Sequence, residues 1–470
     1  MWNRDLIAMQ RFQNHLLLPL LASIGCGGGL DATLEANPAC DLSAVVTWET
    51  SEPSTSWVEF GDTSTFTHRI GSDALTTEHE VIVVGMHAAS DYTLRAVSET
   101  ESGKIQASAD LEYTTGDLPG DWLAGDVDVY DRSASAGGWN LVNAARGTMS
   151  EITAAILDMS GAAIWYYTYE SRFSRADVEV TFDGEGILIG PAMGPGDSPI
   201  KVDLKGEVLW TGPTQPGEDV TALLEHGTMH HVFHQNDDGQ YVTVAFEEVD
   251  DVLGDRVLEL DEDLNTVWSW STFDHLVLHE EDVGTTGTWT HVNSVATTPA
   301  QDAVVINAKH LNNAYKVDRA TGDVLWAIGL TGDFEADTNA EHPWFEGAHA
   351  VDVLENGNLI LYDNGESDRG FSRVIEYALD ETAMTSEIVW EYPGTIAEDS
   401  WQNLAWGDVD ILDNGNVFIV AGAAPLSDDA SRLFEVDRDG TMIWQMWWDT
   451  SDELVGSYAA ERIPALAEPL

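Results

Sequence analysis

Short apolar runs broken by polar turns recur along most of this chain. Within them an aliphatic residue followed by tryptophan returns six times: Ile164-Trp165, Leu209-Trp210, Val267-Trp268, Leu325-Trp326, Val389-Trp390 and Ile443-Trp444. Five of the pairs follow a short turn, at Met159-Ser160-Gly161, Leu204-Lys205-Gly206, Asp263-Leu264-Asn265, Thr321-Gly322 and Asp439-Gly440; the Val389 pair follows a longer acidic loop. A recurrence at such spacing marks a repeat architecture. The runs have strand length and strand composition, so six units of about four strands each predict a six-bladed β-propeller. The units fall near 139–170, 175–211, 229–270, 290–328, 348–392 and 406–449. Hairpin turns of Asn-Gly or Asp-Gly type recur inside them, at Asn236 to Gly239, Glu355 to Asn358 and Asp413 to Asn416.

Ahead of the repeats, residues 30–116 alternate as a separate β-sandwich, with strands at Val45 to Trp48, Trp57 to Phe60, Val81 to Val84 and Tyr92 to Val97. The stretch Gly85 to Tyr92 resembles the corner before the sixth strand of fibronectin type III domains. That resemblance makes Tyr92 the corner tyrosine, its hydroxyl returning to the backbone. Leu118-Pro119-Gly120-Asp121 reads as the linker, so the chain divides into a segment 1–29, a sandwich 30–116 and a propeller 117–470. The fold class is all-β.

Composition adds one strong constraint. Of 470 residues 43% are hydrophobic, enough for a large core, while 82 acids face 20 bases for a formal net charge of −62. Such a surface repels nucleic acid and anionic lipid, and neither is expected as a partner. An anionic substrate needs a local cationic pocket against that field.

Arg4 and Arg11 precede the apolar run Leu16 to Ile24, too short for a membrane span and suited to the core of a secretory signal. The run ends in Ser23-Ile24-Gly25-Cys26, which looks like a bacterial lipoprotein signal with Cys26 as the lipidated residue; Ser23 stands where Leu is usual. Export to the periplasm or cell surface, with a lipid anchor on Cys26, is the expectation. With Cys26 lipidated, Cys40 is a free thiol; otherwise the two can pair in an oxidising compartment.

Candidate chemistry sits where the inner strands begin. Eight positions before the turn glycine stand His231, His349 and, in the last unit, Gly407. His291 opens the corresponding strand of the intervening unit, in Trp289-Thr290-His291-Val292-Asn293-Ser294, and Lys309 lies on the next strand of that blade. A lone His at a strand start is commonly structural, but three from different blades at one level converge on the mouth of the axial channel. Imidazoles and an ammonium suit a sulfate- or phosphate-like anion whose charge changes in the transition state, and a neutral imidazole is a competent nucleophile. Three His also suit zinc or copper, against which Lys309 would repel a cation.

The segments Trp289 to Ser294, Ala308-Lys309-His310-Leu311-Asn312, Tyr315 to Asp318 with Leu325-Trp326, Gly347-Ala348-His349-Ala350 and Leu361 to Gly365 resemble the bacterial arylsulfate sulfotransferase family, in an ordered match over roughly 125–450. The resemblance implies a six-bladed propeller behind a small N-terminal β-sandwich. It implies transfer of a sulfuryl group from a small-molecule aryl sulfate to a phenolic acceptor, ping-pong through a sulfated histidine, with no nucleotide donor, cofactor or metal. Under it His349 is the nucleophile, His231 and His291 bind sulfuryl oxygens and help with proton transfer, and His291 is the shuttle that activates the acceptor. Asn293 is a companion donor. Independently of the resemblance, Trp289, Trp344, Trp401 and Trp406 lie near strand starts or in the loops leading to them, where each can stack on an aromatic ring or serve the core. Lys309 stands where the family usually has Arg, exchanging a bidentate grip for a point charge.

Other readings compete. A scaffold propeller that has lost turnover is compatible with the Lys309 departure. A quinoprotein-type dehydrogenase echoes Ala320 to Trp326, but those propellers generally have eight blades and an adjacent cysteine pair. A glycosidase cannot be singled out among so many carboxylates. Asp363 to Asp368 forms an acidic loop that admits calcium, although a loop without an ion is the simpler reading.

Overall fold

The computed structural model describes residues 29–62, 65–146, 151–170, 177–181, 184, 186–191, 199–212, 229–236, 238–278, 288–365, 369–393, 400–422, 431–448 and 455–470. Cys26 and the rest of the segment 1–28 lie outside them. The architecture is all-β, and six small sheets form a six-bladed propeller. Blades 2 to 6 take their strands in sequence order from 178–211, 229–271, 292–329, 349–392 and 408–447. The hairpin turns form where Asn-Gly and Asp-Gly predict them: Gly239, Gly357 and Gly415 adopt φ of 76°, 83° and 85°, a conformation glycine enters without steric cost.

Blade 1 departs from the simple repeat. Residues 139–170 supply only its three outer strands, and the innermost is Val455–Ile463, which returns from the C-terminus to pair with Trp139–Arg146. Blade 6 gains a fifth, outermost strand, Asp126–Tyr130, on Met442–Trp447. The ring is therefore closed twice, by one strand from each end of the propeller chain. Closure on both sides removes the free sheet edges at the junction.

The recurrent tryptophans explain why the blades stay together. Each lies on the outermost repeat strand, and four donate their indole N–H to a backbone carbonyl in the next blade's turn. Trp165 bonds Leu204, Trp268 bonds Arg319 and Trp390 bonds Arg438, each at 2.9 Å, while Trp444 reaches from blade 6 to Met159 of blade 1 at 3.0 Å. The aliphatic partner points the other way. Leu209, Val267, Leu325 and Val389 are 46–49% exposed, whereas Ile164 and Ile443 are buried, in the two blades against which the N-terminal sheet and the added strand lie.

Residues 30–114 supply six strands of a seven-stranded sheet, in which two long strands, Ala44–Asp62 and His68–Val83, pair along most of their length. The pairing slips between Glu49 and Ser54, so Val45–Trp48 and Trp57–Phe60 belong to one interrupted strand instead of two separate ones. The first half pairs with Ala32–Ala36 and the second with Asp91–Glu99. Trp48 ties the halves by donating to Ser98 Oγ at 2.8 Å and stacking on His79. The Tyr92 hydroxyl accepts the His87 N–H at 2.9 Å, the corner contact expected from the sequence.

This sheet is fastened to the propeller. Glu468–Pro469 adds to its edge, and Arg69 grips Glu468. The Cys40 thiol is buried and forms no disulfide among the described residues, and its sulfur accepts the Tyr166 N–H at 3.4 Å. His87 Nε2 lies 2.8 Å from Asp158 of blade 1. The bond to Asp158 raises the His87 pKa against the opposing effect of burial. At Asp158, burial pushes the other way, but the bonds from His87 and Ser160 prevail and hold the carboxyl below its usual range. A raised histidine contributes stability that is complete below pH ~6.5 and is lost as pH rises through its folded pKa. Because His87 is half-exposed, the contact is worth at most about 1 kcal/mol. His87→Ala is expected to lower the unfolding midpoint at pH 6 and to match the parent at pH 9. An equal deficit at both values would exclude the ionic contact as its origin.

Candidate active site

The inner strands of blades 3, 4 and 5 each begin with an irregularity in pairing: between His230 and Phe233, between Val292 and Ser294, and between His349 and Asp352. At each one a non-glycine residue takes a left-handed backbone: His231 at φ 60°, His291 at 50° and Ala350 at 49°; Trp406 repeats it in blade 6 at 66°. Such residues cost about 1–3 kcal/mol each and persist where the surroundings over-determine them. The bulge turns the chain so that side chains at the strand mouth aim at the propeller axis. Gly407 occupies the blade 6 position because a Cβ there would overlap the Tyr362 ring.

Counting from the turns equates His231 with His349, but the ladder does not. His230 pairs with Val244 as His349 pairs with Tyr362, each as the last rung before the bulge. His231 is an inserted residue beside it.

His349 is 3% exposed, and its Nδ1 lies 2.7 Å from Asn364 Oδ1. The orientation of that amide is settled by its other end, because Asn364 Nδ2 donates to the carbonyls of Asn403 and Trp406, both at 2.8 Å. The oxygen therefore faces His349, which must carry its proton on Nδ1. In the neutral ring Nε2 then holds the lone pair. Asn293 and Asn307 brace the chain just before His349: each donates to the Ala348 carbonyl, at 2.9 and 2.6 Å, and Asn307 also donates to Asn293 Oδ1. Asn293 thus lines the site while spending one amide hydrogen on that brace.

His231 and His291 meet with ring centroids 4.8 Å apart. Across the axis, Tyr458 stands 6.1 Å from His231 and 6.2 Å from His349. It belongs to the C-terminal strand that closes blade 1, and it places a phenol beside both His231 and His349. His291 stacks on His310 at 4.5 Å. Burial first, then the charges of His310, Lys309, His230 and His349, hold the His291 pKa well below its ordinary value, so the ring is neutral at physiological pH. Its Nδ1 has no hydrogen-bond partner among the described residues. Lys309 is half-buried just beyond the end of the strand Ala303–Ala308, in the short turn Lys309–Leu311, and its N–H donates to the His291 carbonyl.

A cavity of about 180 Å³ runs from His231 and Tyr458 along the axis. It is lined by carboxylates, among them Asp177, Asp352, Asp408 and Asp410. Burial and mutual repulsion raise Asp177 to about 8, and burial raises Asp408 to about 6. Part of the axial charge is therefore neutralised by protons near pH 7; of the candidate residues His231 and Asn293 line this cavity, and His291, Lys309 and His349 do not. Trp289 does not line this cavity; it is fully buried against Phe273. The Asp363 carboxylate is held by Arg369 and Arg373, all three buried, which leaves it no role as a calcium ligand. Asp368 lies outside the described residues.

Residues 128–447 match the arylsulfotransferase (ASST) family model. No curated protein matches the chain. Solved structures match at low identity and low TM-score. A putative 6-phosphogluconolactonase from Bacteroides fragilis is 12% identical over 90% of this chain and 99% of its own, with a TM-score of 0.35. A second from Bacteroides uniformis is 12% identical over 87% and 99%, at 0.37. A luciferin-regenerating enzyme is 10% identical over 72% and 99%, at 0.38.

Proposed function

The chain belongs to the arylsulfotransferase family, and from that premise we propose that it moves a sulfuryl group from a phenolic sulfate ester to a phenol through a sulfated His349. The observation that carries this reading is the Asn364 amide, which leaves Nε2 of His349 as the nucleophilic nitrogen. In the first half-reaction Nε2 bonds to sulfur, and the S–O bond to the donor breaks with its pair leaving on phenolate. In the second, an acceptor phenol takes the sulfuryl group and Nε2 recovers its pair. Lys309 and His291 are assigned to the sulfuryl oxygens, where donors aimed at developing charge contribute most in a dry site, and His231 to proton transfer. A single ammonium in place of a guanidinium supplies charge without the bidentate fork.

Asn293 is assigned as an additional donor through its second amide hydrogen. The Tyr92 corner supports a fibronectin type III-like reading of residues 30–116, and the apolar run before Cys26 supports export with a lipid anchor on that residue.

The test is phenolate release from an aryl sulfate with and without phenol, followed by mass spectrometry of the protein quenched with donor alone. The expected result is release that continues only with acceptor, and an added SO₃ on the peptide containing His349. Release with no adduct, at a rate indifferent to acceptor, would mean direct hydrolysis. No release from any of several aryl sulfates would leave a binding propeller.

A further inference from the structure

Behind His231 lies a second histidine, and behind that a buried carboxylate. His230 Nδ1 is 2.7 Å from His231 Nδ1. On its far side, His230 Nε2 is 3.1 Å from Asp255 Oδ1. That second contact is bent away from ideal hydrogen-bond geometry, yet neither atom has another hydrogen-bond partner among the described residues. His230 is fully buried, stacked on Phe246 with centroids 3.9 Å apart, and Asp255 is 1% exposed. The other carboxylate oxygen, Oδ2, accepts the Thr290 hydroxyl at 2.5 Å and the Val292 N–H at 2.7 Å. Asp255 thus holds both residues that flank His291 as well as the ring that backs His231.

We infer that Asp255 and His230 are positioning residues that fix the tautomer of His231 and make its Nε2 the base that takes the proton of the acceptor phenol. This rests on the sulfuryl-transfer reading above. The chain of protons follows from donor and acceptor inventory. A backbone N–H can only donate, so Asp255 Oδ2 is an acceptor, and Oδ1 calls for the His230 proton on Nε2. A neutral His230 then has its lone pair on Nδ1. Only one proton fits between the two Nδ1 atoms, and it must come from His231. His231 Nε2 is left unprotonated.

In the transfer step an oxygen pair of the phenol forms the new S–O bond. The S–N bond breaks with its pair returning to His349 Nε2. The phenolic proton moves to His231 Nε2 and is later given to solvent. His291, neutral and depressed in pKa, serves the sulfuryl oxygens, and the shuttle role passes to His231.

Asp255→Asn provides an inverted control. Val292 N–H keeps the amide oxygen on its side, which turns the NH₂ toward His230 Nε2. His230 must then carry its proton on Nδ1, and His231 is pushed to the Nε2–H form, which cannot accept. With a donor whose phenol is a good leaving group, the burst of phenolate is expected within about threefold of the parent. Transfer to a phenol of pKa ~10 is expected to fall by about 10²-fold or more. Transfer to a phenol already ionised at the assay pH is expected within about threefold of the parent, since it needs no base. Equal losses with both acceptors would reduce Asp255 to a structural brace, and an unchanged rate with the un-ionised phenol would also overturn the relay.

A second measurement does not depend on turnover. Nitrogen NMR of the full chain labelled at histidine, with His231→Gln to assign the signal, is expected to show His231 protonated on Nδ1. A neutral His231 protonated on Nε2 in the parent would overturn the proposal even if sulfuryl transfer is confirmed. The Nδ1–H form in a parent without turnover would uphold the relay and sink only the reaction it serves.

Discussion

His349→Ala is expected to lower acceptor-dependent phenolate release by at least about 10⁴-fold, because the loss removes the atom that carries the sulfuryl group and not merely a contact to it. The fold should survive. His349 holds the Asn364 oxygen at 2.7 Å. Leaving that oxygen unpaired costs about 1–3 kcal/mol. Asn364 itself stays anchored by its two bonds to Asn403 and Trp406, and the chain at Ala348 stays braced by Asn293 and Asn307. A variant with parent-like circular dichroism and no burst would therefore report chemistry. The decisive reading is the burst itself, measured with donor in the absence of acceptor. If His349→Ala still releases one equivalent of phenolate quickly, another residue is the nucleophile, and the Asn364 amide orients a histidine with some other task.

The blades were legible from sequence because one position repeats with a physical reason. In four of the six units the outer-strand tryptophan places its N–H on a carbonyl of the next blade, and it recurs even where the rest of the unit varies. The histidines at strand mouths were legible for a related reason: the hairpin turns set a register from which they can be counted. The count failed in detail at blade 3, where the bulge contains an extra residue, so that His230 and not His231 occupies the rung of His349. A backbone with φ near 60° leaves no mark in composition when the residue is histidine. Lys309 was placed on a strand that in fact ends at Ala308. Tyr458 and Asp255 were missed for different causes. Tyr458 lies beyond the sixth repeat, in a tail whose return to blade 1 has no periodic signal. Asp255 is one carboxylate among 82 acids, and only its buried contacts distinguish it. The adjacent pair His230-His231 was the one available hint that two imidazoles act together there.

The largest effect on stability is expected at the closure itself, from Arg462→Met, at about 3 kcal/mol. Arg462 lies on the C-terminal strand of blade 1, 5% exposed, between the rings of Phe418 and Trp444. Its guanidinium donates to Asn140 Oδ1 at 2.8 Å, to the Gly137 carbonyl and to Glu435 Oε2 of blade 6, both at 3.1 Å. Methionine fills the slot between the rings but leaves Glu435, fully buried, without its counter-charge. Breaking one side of a buried pair costs about 3–5 kcal/mol. The lower end applies because Asn416, Ser135 and the Ala136 N–H still donate to that carboxylate. Burial pushes the Glu435 carboxyl up, but Asn416, Arg462, Ala136 and Ser135 outweigh it and hold the group below its usual range. The sign then follows: a depressed carboxyl contributes stability that is present above its unfolded pKa of ~4.3 and is lost as pH falls through the folded value. The gap between parent and Arg462→Met, read from urea unfolding, should therefore be full at pH 7 and shrink in acid. Adding Glu435→Gln should recover about 1–2 kcal/mol at pH 7, because the uncompensated charge is then gone. A single variant that loses less than about 1 kcal/mol, or a double variant no better than the single, would mean that the strand pairing with Trp139–Arg146 closes the ring unaided and that the ion pair is a passenger.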